Sequence, residues 1–92
     1  MLFLISWSGQ PQLREAAVDR FLKTGGLPPE GVKIVGRWHS VGPISGFAIA
    51  ESDDIFALQK WVLDWSDVLE MEVRPAINDE QLGASLAALR RA

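Results

Sequence analysis

Residues 2–8 form a short apolar run rich in β-formers and closed by Ser8-Gly9, which predicts a first strand. From Pro11 to about Lys23 the apolar residues are Leu13, Ala17, Val18, Phe21 and Leu22, the spacing of a helix with one inward stripe. Pro11 suits the first turn, where its missing N–H costs nothing, and Gly25-Gly26 suits the end. Residues 32–40 and 46–51 read as two more strands, joined by a hairpin loop over residues 41–45. Ser52-Asp53-Asp54 then caps a second helix, whose inner stripe is Ile55, Leu58, Val62 and Trp65, with Trp61 beside it. Residues 69–77 set Met71 and Val73 against Glu70, Glu72 and Arg74, the alternation of a half-buried fourth strand. Asn78-Asp79-Glu80 caps a last helix with Leu82, Leu86 and Leu89 along one side and Arg90-Arg91 at its negative end.

The order β-α-β-β-α-β-α predicts an α+β chain. Its first six elements match the split βαβ, or ferredoxin-like, arrangement βαββαβ, and a C-terminal helix is added. Both main helices then cover one face of a four-stranded antiparallel sheet. Residues two apart on a strand share a face. The larger, more apolar set is assigned to the helix side: Phe3, Ile5 and Trp7; Ile34, Gly36 and Trp38; Phe47 and Ile49; Met71 and Val73. The other face then mixes Leu2, Leu4, Val35, Ala48 and Ala50 with Ser6, Ser8, Arg37, His39, Glu72 and Arg74. A solvated face does not carry leucines and alanines in register, and a dry core does not carry two arginines and a histidine. The mixture predicts a partly enclosed surface, covered by a second copy in a homodimer or by the last helix folding over its own sheet. This assignment depends on hairpin register, because a one-residue slip moves every side chain to the opposite face.

Ninety-two residues fit one domain, residues 1–92, and 48% hydrophobic with 23% charged residues exclude a disordered chain. There is no cysteine, hence no disulfide and no thiolate chemistry. The net charge of −3 argues against nucleic acid, which needs a basic face. The first apolar run stops at Ser6 and has no basic residues before it, so it is not expected to act as a signal peptide; nothing approaches the roughly 20 apolar residues of a membrane span. The expectation is a cytoplasmic protein with no membrane partner.

Arg37 and His39 are the leading candidates for chemistry. They share a strand face beside the hairpin. Histidine serves as acid or base near neutral pH, and arginine holds an anion bidentately. Ser6, Ser8 and Glu72 join them as candidate ligand-binding residues on the same expected face. The structural alternative pairs Arg37 with Glu72, or with a partner-chain acid, and leaves His39 to cap the hairpin. Trp7, Trp38, Trp61 and Trp65 read more readily as core or subunit interface than as a stacking pocket. The stretch from Gly25 to Gly31 follows a helix rather than a strand and has neither phosphate-loop pattern, so it reads as a helix-to-strand connection. One histidine among scattered acids has no metal-ligand spacing, and no cofactor is expected.

Several segments together resemble a known family. They are Ile5-Ser6-Trp7-Ser8, Arg20-Phe21-Leu22-Lys23-Thr24-Gly25-Gly26, Pro28-Pro29-Glu30-Gly31-Val32-Lys33, Gly36-Arg37-Trp38-His39, Gly46-Phe47-Ala48-Ile49-Ala50-Glu51, Lys60-Trp61-Val62 and Trp65-Ser66-Asp67. In this order they are similar to the small bacterial domain of unknown function family 3303, over about residues 1–80. The resemblance implies a dimeric α+β barrel, in which two ferredoxin-like subunits pack sheet to sheet and related barrels enclose small, often aromatic, ligands. It transfers no catalytic residue. The leading expectation is a small cytoplasmic homodimer that binds a small organic ligand in a sheet-side cavity. One alternative is a cofactor-independent monooxygenase- or isomerase-like enzyme using His39 as acid or base and Arg37 as anion holder. Another is a structural or regulatory dimer without ligand.

Overall fold

A computed structural model describes residues 1–91 of the chain. The elements run β1 (Leu2–Ser8), a 3-10 turn (Pro11–Leu13), α1 (Arg14–Thr24), β2 (Lys33–His39), β3 (Ser45–Glu51), α2 (Ile55–Leu63), β4 (Glu70–Ala76) and α3 (Asp79–Arg91). The strands lie in the order β2-β3-β1-β4, and every neighbouring pair is antiparallel. This is the ferredoxin-like α+β arrangement with an additional C-terminal helix. Among the described residues no helix is long and apolar enough to cross a membrane.

Local chemistry explains the element ends. Gly25 takes the left-handed conformation at the C-terminus of α1 (φ 69°), and its N–H donates to Phe21 O at 2.7 Å. Asp54 caps α2, its Oδ1 accepting from the N–H groups of Phe56 at 3.0 Å and Ala57 at 3.1 Å. Asn78 and Gln81 form a reciprocal box at the start of α3: Asn78 Oδ1 accepts from Gln81 N at 2.8 Å, and Gln81 Oε1 accepts from Asn78 N at 2.9 Å.

The core lies between the sheet and the first two helices. Phe3, Ile5, Val32, Ala50, Leu58 and Trp61 form its buried cluster, with Trp7, Ile34, Trp65 and Met71 packed around it. The inner face of α2 is rotated from the expected stripe: Leu58 and Trp61 are buried, whereas Ile55 is exposed. Trp61 fills volume that Ile55 cannot reach from the helix's first turn.

The facing of two strands also differs from the expectation. β1 pairs Phe3 with Ala50, Ile5 with Ala48 and Trp7 with Gly46, and directly paired residues share a face. Ala48 and Ala50 therefore look at the helices, where both are 0% exposed, and Phe47 and Ile49 look away. The size rule failed on β3 because Phe3, Ile5, Leu58 and Trp61 fill the buried cluster around Ala50 and leave room there only for a small residue. On β2 a register shift falls between Ile34 and Gly36. This bulge gives Val35 no partner and reverses the parity of the strand beyond it. Ile34 stays on the helix side, opposite Ala50, but Arg37 and His39 join it, opposite Ala48 and Gly46. Gly36 and Trp38 turn to the open face instead.

The open face thus carries Leu2, Leu4, Ser6 and Ser8 of β1, Phe47 and Ile49 of β3, Glu72 and Arg74 of β4, and Trp38 of β2. The Trp38 ring lies over Gly36, where a Cβ would collide with it, and stacks on Phe47 with centroids 5.3 Å apart. α3 does not fold back over this sheet. It buries none of its residues.

Candidate functional site

Arg37 and His39 point from β2 toward the C-terminal half of α1, not toward the open face. Arg37 Nη1 donates to Gly26 O at 2.9 Å, and Nη2 donates to Gly25 O at 3.0 Å. The guanidinium carbon sits 5.2 Å from the centroid of the Phe21 ring. Helix C-termini collect unpaired carbonyls and negative dipole charge, so a cation is favoured there. Gly26 keeps the seat open: it has φ 61°, and a Cβ there would lie 2.9 Å from Arg37 Nη1 and 3.1 Å from the Phe21 ring. His39 meets Trp7 and Phe21 edge-on, each with centroids 5.8 Å apart.

Two adjoining cavities open beside these residues. The first, about 60 Å³, is lined by Trp7, Phe21, Arg37, Trp61, Trp65 and Met71, among others. The second, about 190 Å³, shares Trp7, Phe21, Trp65 and Leu69 with it and reaches His39 and Ile44. Together they make an aromatic slot between α1 and the sheet, with the Arg37 cation in its wall. Among the described residues no carboxylate pairs with Arg37. Two of its N–H groups are engaged by carbonyls. A guanidinium has five N–H groups, so about three remain for an anion.

The other expected ligand-binding residues are elsewhere. Ser6, Ser8 and Glu72 lie on the open face and, with Glu70, Trp7 and Met71, border a shallow hollow of about 430 Å³ at the end of β1 and β4. Glu72 is paired with Arg74 along its own strand, not with Arg37. The structure therefore separates the five expected residues into two groups on opposite faces of the sheet. The bulge at Val35 is the cause, and no feature of strand alternation announces it. Phe21, Gly26, Trp65 and Leu69, which line the slot, were not among the expected residues. The available signal was the Phe21–Gly26 segment, because a helix C-terminus bearing two glycines presents bare carbonyls to an arginine.

One further charged pair braces the slot. Arg20 grips Asp67 bidentately, Nη1 to Oδ1 at 2.7 Å and Nη2 to Oδ2 at 2.9 Å, and Nη1 also donates to Asp64 O at 2.6 Å. Its guanidinium lies 5.6 Å from the Trp65 ring centroid. The pair ties α1 to the segment after α2 that carries Trp65. Hydrogen bonding from Arg20, and its charge, hold the Asp67 carboxyl below the usual carboxylate range, against a smaller opposing effect of desolvation. Among the described residues no group of three or more metal-ligating side chains converges.

A family model described as Domain of unknown function (DUF3303) matches residues 1–90. No curated protein matches the chain. Among solved structures, the chain is similar to a protein from Deinococcus radiodurans provisionally described as an antibiotic biosynthesis monooxygenase. That similarity has 8% sequence identity and a TM-score of 0.46, and it covers 85% of this chain and 94% of the other.

Proposed function

The chain belongs to the DUF3303 family, and on that premise we propose that it is a cytoplasmic homodimer of one ferredoxin-like unit per chain that binds a small aromatic carboxylic acid. The ligand enters the slot between α1 and the sheet, its ring against Trp7, Phe21 and Trp65 and its carboxylate at Arg37. The observation that carries this reading is the half-buried Arg37 cation, which stands beside an apolar cavity with carbonyl and aromatic partners and, among the described residues, no acid. A charge so placed favours an anion that brings its own apolar body.

The homodimer covers the open face. Trp38 and Phe47 are exposed there beside Leu2, Leu4 and Ile49. Ser6, Ser8 and Glu72 then belong to the subunit contact rather than to the ligand.

A second reading makes the slot an active site. His39 borders the same slot as Arg37, so a proton on a bound acid's side chain is within its reach, in cofactor-independent isomerase- or monooxygenase-like chemistry.

The test is calorimetric titration of the full chain with phenylacetate, benzoate and their uncharged amides. The acids bind at least tenfold more tightly than the amides, and Arg37→Met removes that preference. Equal affinity for acids and amides, or binding indifferent to Arg37→Met, contradicts the reading.

A further inference from the structure

We propose that α3 is a dimerisation arm that pairs antiparallel with α3 of a second copy of this chain. This rests on the homodimer reading above and adds to it the element and the orientation. α3 is thirteen residues long, and all of its residues are exposed. Isolated helices of this length are marginal in water, more so with Gly83 in the interior. Its capping box starts the helix but cannot hold it alone. Leu82, Leu86 and Leu89 are 45%, 51% and 68% exposed. Their spacing of four then three is the seam of a paired helix.

Charge selects the occupant and its direction. Asp79 and Arg90 stand eleven residues apart in the sequence, about three turns, so they share one flank of the leucine seam. A parallel partner would put the Asp79–Arg90 flank of each copy on opposite sides of the seam, where these charges form no pair across it. An antiparallel partner, related by a two-fold axis near Ala84 and Ser85, sets Asp79 beside Arg90 of the second copy, twice, and Leu82 against its Leu86. The helix dipoles also oppose favourably in that arrangement. Glu80 and Arg91 fall on the outer side and take no direct part. The helix is about 20 Å long and supplies only part of the roughly 800 Å² per partner that a stable dimer buries. The aromatic open face supplies the rest.

Sedimentation equilibrium of the full chain tests this. Leu86 is exposed in the single chain, so Leu86→Asp leaves the fold intact by circular dichroism and weakens the dimer more than a hundredfold. Asp79→Lys and Arg90→Glu each weaken self-association about tenfold, and mixing the two variants restores it in the heterodimer. Glu80→Lys leaves the affinity unchanged. A wild-type dimer unaffected by Leu86→Asp, or charge variants that mixing does not rescue, overturns the arm while leaving the homodimer standing. A monomeric wild-type chain at 100-fold above micromolar concentration overturns both.

Discussion

Arg37 owes its position to three neighbours: the bulge that turns it, the Gly25 and Gly26 carbonyls that hold it, and the Phe21 ring beneath it. Gly26→Ala puts a methyl where the guanidinium lies and forces a left-handed backbone on a residue that resists it. The expected result is a Tm lowered together with a weakened preference for carboxylate ligands; an unchanged preference would show that Arg37 sits elsewhere. Asp67 contributes differently. Its folded pKa is depressed by Arg20, so its stabilising effect is complete above the unfolded value of about 3.9 and is lost as pH falls through the lower folded value. Wild type and Asp67→Asn should therefore differ in Tm at pH 6, and the gap should close as the pH drops below about 4. A gap independent of pH in thermal melts contradicts this account of the pair.

At the scale of elements, the caps decide where helices begin. Asp54→Ala leaves the Phe56 and Ala57 N–H groups without their acceptor and should cost about 1 kcal/mol in urea unfolding, with no change in ligand preference. A loss below a few tenths would mean that another group takes over the cap. The order and approximate bounds of every element were legible in the sequence, because period, caps and glycine stops agree there. Facing was legible on β1 and β4, where apolar and polar residues alternate cleanly. It was not on β2 and β3. The bulge at Val35 has only a weak sequence signature, the glycine at 36 inside the strand, and Ala50 looks like a surface residue until Leu58 and Trp61 of α2 are known to share its cluster. Arg37 and His39 were correctly paired with each other and with Ala48, but on the wrong side of the sheet. The shared face of Arg37 and His39 was thus readable and their surroundings were not, since those depend on which long-range pairing β2 adopts.

At the scale of the molecule, the proposed reading gives the two faces of the sheet different tasks. The helix side holds the core and the cationic slot. The open side holds Trp38, Phe47, Ile49, Leu2 and Leu4 around paired charges, an exposed apolar surface of the kind that marks a contact with another chain. Phe47→Glu should convert the dimer to a monomer by sedimentation without lowering the helical circular dichroism signal; a dimer that survives it is built on some other surface. Covering the open face at Trp38 and Phe47 and filling the slot are separable, because neither of these residues lines the slot.

The central claim is that the ligand lies on the helix side, beside Arg37. The four tryptophans report this directly, since Trp7 and Trp65 line the slot, Trp61 sits at its base and Trp38 stands on the opposite face. In ¹H–¹⁵N spectra of the four indole N–H groups, titration with phenylacetate should move Trp7 and Trp65 while Trp38 stays in place, and Arg37→Met should abolish the shifts. Movement of Trp38 alone would put the ligand on the open face and contradict the account.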